Sequence, residues 1–140
     1  LAAAVSFLQT HKVGLVTLDI GANDIDNCIS VTGIDMTCVK DGLTSVATNL
    51  PQILAELRNA AGSDTLIVAM NYYDPFLSAW ELGPSGQALA VASLQATKGF
   101  NDILEHAYQA FAIPVADVAS AYHIGDFTPV PPTNLPLNVF

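Results

Sequence analysis

Residues 13–20, VGLVTLDI, form a nearly continuous apolar run rich in β-branched side chains and bounded by glycines. Such a run suits a strand covered on both faces, as in a parallel sheet. Before it, Leu1, Val5 and Leu8 share a face at helical spacing and predict an amphipathic helix. His11 closes that helix, where a cation is favourable. After it, residues 25–42 are polar and end in Asp41-Gly42, a turn signal, so they predict a loop with room for one short helical turn. From Leu43 onward, Val46, Ala47, Leu50, Leu54 and Leu57 recur at helical intervals as far as Gly62. Pro51 inside this stretch implies either a kink or two consecutive helices. Residues 65–70, TLIVAM, predict a second strand, followed by a long aromatic loop over 71–86. A long helix is predicted from Gln87 to Phe111, striped by Phe100, Ile103, Leu104, Ala107, Tyr108 and Phe111, with Gly99 its weak point. Residues 112–119, AIPVADVA, predict a third, shorter strand. Pro114 cannot donate to a ladder, so that strand belongs at the edge of the sheet.

Helix and strand alternate three times, which implies a parallel sheet with right-handed crossovers and helices on both faces. Functional residues in such sheets gather in the loops leaving the carboxyl ends of the strands. Two loops hold that position: GANDIDNC (21–28) and NYYDPF (71–76). Neither these nor the third strand exit carries a glycine-rich phosphate loop, which argues against a nucleotide-binding domain.

The chain has 140 residues, one domain's worth, and 51% of them are hydrophobic, so disorder is excluded. The formal charge of −9, with only four Lys and Arg, argues against nucleic acid or an anionic membrane surface as partner. No apolar run reaches membrane-spanning length. The two cysteines, Cys28 and Cys38, have no metal-ligand spacing, and no metal or other cofactor is expected. They leave a choice between two free thiols and a local disulfide closing an eleven-residue loop. The disulfide is the expectation, stabilising by about 3 kcal/mol on the chain-entropy model and pointing to a secreted or cell-envelope protein. Residue 1 is Leu within a helical pattern, and the far end stops on apolar residues without a cap. Both ends read as cuts through a longer domain.

Residues 15–24, LVTLDIGAND, resemble the third conserved block of the SGNH (GDSL-type) hydrolases, a Gly-x-Asn-Asp directly after a central strand. Residues 68–77, VAMNYYDPFL, are similar to the segment after the next strand in secreted bacterial members. The resemblance covers nearly the whole chain. It implies a three-layer α/β/α sandwich with a parallel sheet, of which this chain is an incomplete central piece with about three strands. It also implies hydrolysis of a small-molecule or lipid ester by a serine nucleophile and a histidine base. By position, Asn23 is then the side-chain donor to the oxyanion, with Gly21 allowing the tight strand exit. The chemistry fits these residue types. Charge builds on the carbonyl oxygen during attack, and an amide NH₂ donates to it without carrying a titratable charge. Glycine two residues earlier takes backbone angles closed to other residues. Taken alone, GAND is also an ordinary turn and helix cap.

The family's Gly-Asp-Ser and Asp-x-x-His blocks are not in this sequence, nor is its second-block glycine. AGSDT around Ser63 precedes a strand instead of following one. His106 lies within the long helix, and His123 has its aspartate on the wrong side. The expectation is therefore the middle of a serine ester hydrolase, inactive alone and completed by the remainder of its own domain. The alternative is a binding module that kept the fold without the chemistry. Tyr72, Tyr73 and Phe76 are candidates for the substrate wall, and Asn71 for a group steadying Asn23 from the next strand end. Asp24 is expected to cap or fix the turn. Asp19, inside the strand, is expected to be a buried carboxylate that anchors the neighbouring loops. Trp80 and the GPSG turn (83–86) read as lid packing.

Overall fold

The computed structural model describes residues 1–30 and 32–139. Helix α1 spans Ala2–Thr10 and ends at His11, whose N–H donates to the Phe7 carbonyl and whose ring stacks on Phe7 at 4.0 Å. Strand β1 covers Leu15–Leu18, shorter than the apolar run that predicts it. A tight antiparallel hairpin follows, β2 (Ile29–Ser30) and β3 (Gly33–Ile34). Helix α2 runs over Met36–Ala61.

Residues 36–42 are thus helical and not loop. Asp35 is the reason: its carboxylate accepts from the N–H groups of Thr37 and Cys38, both at 3.0 Å, and starts the helix. Asp41-Gly42, a turn signal in isolation, lies inside it. Pro51 is carried within one continuous helix. The buried stripe Val46, Leu50, Leu54 and Leu57 continues through it, and packing outweighs the lost hydrogen bond. Gly62, at φ 74°, closes the helix with its N–H on the Arg58 carbonyl.

Strand β4 (Leu66–Met70) comes next, then a 3-10 run over Pro75–Leu82 and helix α3 over Pro84–Ala110. Strand β5 (Val115–Ala116), the short helix α4 (Val118–Ala121) and a second small hairpin, β6 (Pro129–Val130) with β7 (Leu135–Pro136), complete the described chain.

The main sheet has three parallel strands in the order β1-β4-β5, so the fold is α/β with α2 and α3 as crossovers. Strand β5 pairs with β4 alone and lies at the edge, as Pro114 requires. In register, Val16 stands beside Ile67 and Leu18 beside Ala69. These side chains meet Leu8 of α1, the apolar stripe of α2, and Phe100, Leu104 and Tyr108 of α3 in one core. The alternate residues form the other face. There Leu15 and its neighbour Leu66 are 53% and 52% exposed, Thr17 is exposed, and Val68 and Met70 are half-buried. Among the described residues the long helices therefore cover one face of the sheet. A smaller cluster, with Trp80 against Phe127 at 5.1 Å, packs Leu77, Leu94 and Ile124 near the start of α3. No helix is long and apolar enough to cross a membrane.

Cys28 and Cys38 form a disulfide, with Cα atoms 5.5 Å apart. It fastens the residue just before the first hairpin to the first turn of α2, beside buried Val39 and Ala96.

Tyr108 is fully buried in the main core, and its hydroxyl meets no hydrogen-bond partner among the described residues. Burial and the nearby Asp19 carboxylate push this phenol up to about 12. A buried hydroxyl without a partner costs about 1–3 kcal/mol. Tyr108→Phe, which removes only that oxygen, is accordingly expected to raise the urea midpoint. A lower midpoint would mean that the hydroxyl is satisfied.

Candidate functional site

Strands β1 and β4 are neighbours, so the loops at their carboxyl ends lie side by side. After β1 the chain turns at Gly21, with φ 109°. A Cβ at this position would be strained by the backbone and would stand 3.0 Å from the Phe100 ring. Glycine is required here on both counts. The next residues, Ala22–Asp24, form a 3-10 turn closed by the Asp24 N–H on the Gly21 carbonyl and the Ile25 N–H on Ala22.

Two devices hold this turn against α2. Asp24 accepts from the Ser45 hydroxyl at 3.1 Å, and Asn49 donates to the same hydroxyl at 3.2 Å. Gly42 lets the backbones touch, since a Cβ there would fall on the Asp24 carbonyl oxygen and within 3.0 Å of Ile25. Asp24 thus ties the turn to a helix 21 residues further on. Asn23, in the middle of the turn, is exposed. Its amide is neither packed into the core nor tied back into its own turn.

The loop after β4 is wired more deeply. Asn101 of α3 clasps Tyr72, accepting from its N–H at 2.8 Å and donating to its carbonyl at 2.9 Å. Asp74 accepts from the Phe76 N–H at 2.9 Å and from the buried Ser93 hydroxyl at 2.8 Å. Asn71, 2% exposed, donates to Asp117 at 2.9 Å and to Glu105 at 3.3 Å, and accepts from the Ala119 N–H at 2.9 Å. This corrects the expected role of Asn71. Its side-chain hydrogen bonds run to Asp117 and Ala119 of α4 and its cap and to Glu105 of α3, so it steadies the neighbouring strand end, and none of them reaches Asn23.

Between the two loops lies a cleft of about 210 Å³. Tyr72, Tyr73, Phe76 and Phe100 supply its rings, Ile25 and Ile29 its aliphatic part, and Asp19 and Asp26 its carboxylates. Tyr72 packs on Phe100 at 5.2 Å, and Tyr73 stacks on Tyr122 at 4.9 Å. Asp19 is a second correction: β1 ends one residue earlier, so this carboxylate is exposed at the cleft and not buried in a strand. Burial, then the hydrogen bond and charge of Asp19, hold the Tyr72 phenol well above its ordinary range. Burial likewise raises the Asp26 carboxyl.

The predicted site residues therefore divide. Tyr72, Tyr73, Phe76 and Asp19 meet in the cleft, while Gly21 and Asp24 line a separate groove of about 170 Å³ along α2. The turn bearing Asn23 stands between the two. Elsewhere, Ser63 is exposed and bonds Asp64, and the His106 imidazole bonds the Asp102 carbonyl of its own helix. His123, at φ 52°, lies in an open concavity with Ser120 and Asp126. Among the described residues, the cleft lining contains no serine, cysteine or histidine. Sequence reasoning missed Asn101 and Asp74. The one available signal was polarity in the wrong place, since Asn101 interrupts the apolar stripe of α3.

Asp74 is a carboxylate buried on a hydroxyl and an amide, and burial raises its pKa while those two bonds oppose the shift. A raised folded pKa makes a stabilising contribution that is complete below the ordinary 3.8 and lost as pH climbs through the folded value. Stability should therefore rise as pH falls from neutral toward about 4. Below that, Asp117 and Asp126, whose pKa values are lowered by hydrogen bonds, act in the opposite sense. Asp74→Asn still accepts from the Phe76 N–H, and its NH₂ can donate to the Ser93 hydroxyl, which then donates to the Ala90 carbonyl, so it is expected to be at least as stable at neutral pH, with a flatter profile in urea titrations. An unchanged slope would remove Asp74 as its source.

No family model matches the chain, and neither a curated protein nor a solved structure matches it.

Proposed function

We propose that this chain is the central part of a serine ester hydrolase of SGNH type, within a three-layer α/β/α domain. Asn23 donates its amide to the oxyanion, and Gly21 sets the turn that presents it. Tyr72, Tyr73 and Phe76 wall the ester's acyl or alcohol group. The observation that carries this reading is the state of Asn23: an exposed amide on a turn fastened to α2, next to an aromatic cleft at the carboxyl ends of parallel strands. The open face of the sheet and the free edge of β1 support a domain completed by further strands and helices. The disulfide supports a secreted or cell-envelope location. The nucleophile and base come from the remainder of the domain.

One observation favours a second reading. A cleft lined without serine, cysteine or histidine also suits a module that binds without reacting. Turnover of p-nitrophenyl acetate separates the possibilities. The isolated chain is expected to show none, and the intact protein that carries it to be active. Activity in the isolated chain would overturn the division of labour, and inactivity of the intact protein would favour the binding module.

A further inference from the structure

The only charges on the described lining of the cleft between the two loops are negative. Its charged groups, Asp19 and Asp26, are both carboxylates, and Tyr72, Tyr73, Phe76 and Phe100 line it with rings whose faces carry the negative end of the quadrupole. Among the described residues, no Lys, Arg or His lines it. Of the four basic residues in the chain, Arg58 is spent on the carbonyls of Gly62 and Thr65, and the Lys98 ammonium lies toward Gly125. Lys12 and Lys40 are exposed outside the lining.

We propose that this cleft selects a small organic cation with an apolar body, of the trimethylammonium or alkylammonium type. Ring faces attract a cation through their quadrupole, and the attraction grows as water is excluded. The carboxylates add to it, whereas an anionic group of the same shape meets repulsion from both. Asp26 is half-buried, and burial holds its carboxyl above the ordinary range. It is a partly desolvated negative charge whose cleft supplies no counter-ion, and a bound cation completes it. The volume of about 210 Å³ admits a trimethylammonium group and a short chain attached to it. The inference takes from the hydrolase reading only that this cleft faces the substrate. On that reading, the preferred esters carry their cationic group in this cleft.

Three probes share one frame and differ in charge: choline, its uncharged isostere 3,3-dimethylbutan-1-ol, and the anion 3,3-dimethylbutanoate. None contains an ester, so binding is scored without hydrolysis, and a failure here leaves the hydrolase reading to its own test. In amide-shift titrations of the full chain, choline is expected to perturb Ile25, Asp26, Tyr72 and Tyr73. It should bind about tenfold or more tightly than the alcohol, while the anion gives no saturable shift. The double variant Asp19→Asn/Asp26→Asn should reduce the preference for choline over the alcohol to what the rings alone supply. Phe76→Leu, which removes a ring and keeps an apolar wall, should reduce it independently. Equal affinity for all three probes, saturable binding of the anion, or choline shifts mapping elsewhere would each overturn the proposal.

Discussion

Gly42→Ala is expected to destabilise the chain by about 3 kcal/mol, the upper range for overpacking a close contact. The position is helical, so alanine would normally help, by up to about 1 kcal/mol. Here the added carbon meets the Asp24 carbonyl oxygen and the Ile25 side chain. The obstacle is backbone, which cannot swing aside as a flexible side chain would. Either α2 moves away from the turn or the turn shifts with Asn23 on it. Gly99→Ala is the internal control. That glycine is also helical, and nothing lies within 4 Å of its Cβ position. The same substitution should therefore change sign between the two helices, read as opposite shifts of the urea midpoint. Equal effects would show that α2 does not press on the turn.

Asn23→Ala carries the largest expected effect on activity. If the intact protein is the proposed hydrolase, removing its oxyanion donor is expected to lower kcat by about 100- to 1,000-fold, or about 2.7–4 kcal/mol of transition-state stabilisation. On that proposal KM should change little, because the amide would act on charge that develops only during attack. Stability should stay within about 0.5 kcal/mol, since the side chain is exposed and contributes nothing to packing. This pairing separates chemistry from architecture. A residue that merely shapes its turn would lose stability and leave kcat alone, and that outcome would remove Asn23 from the mechanism.

Much of the architecture is legible along the chain. The β-branched runs of β1 and β4, the stop at Gly62 and the edge position marked by Pro114 all follow from local chemistry. Most departures arise where contacts outside the local pattern decide. Asp41-Gly42 has the composition of a turn, yet Asp35 starts a helix upstream and the glycine serves contact with the loop after β1. Pro51 stays helical because the leucines on either side are buried against the sheet and α3. Asp19 leaves the strand because β1 is shorter than its apolar run. At the site, aromatic residues are visible as a cluster, but their wiring is not. Asn101 reaches Tyr72 across 29 residues, and Asn71 reaches Asp117 across 46. No local pattern encodes such pairs.

The uncovered face of the sheet has a thermal consequence. Leu15 and Leu66 are already wetted in the folded chain, so unfolding hydrates less new hydrocarbon than a fully wrapped sheet of this length would. The heat-capacity increment shrinks accordingly, and the stability curve against temperature becomes broad and shallow. Enclosing those leucines would deepen and sharpen it.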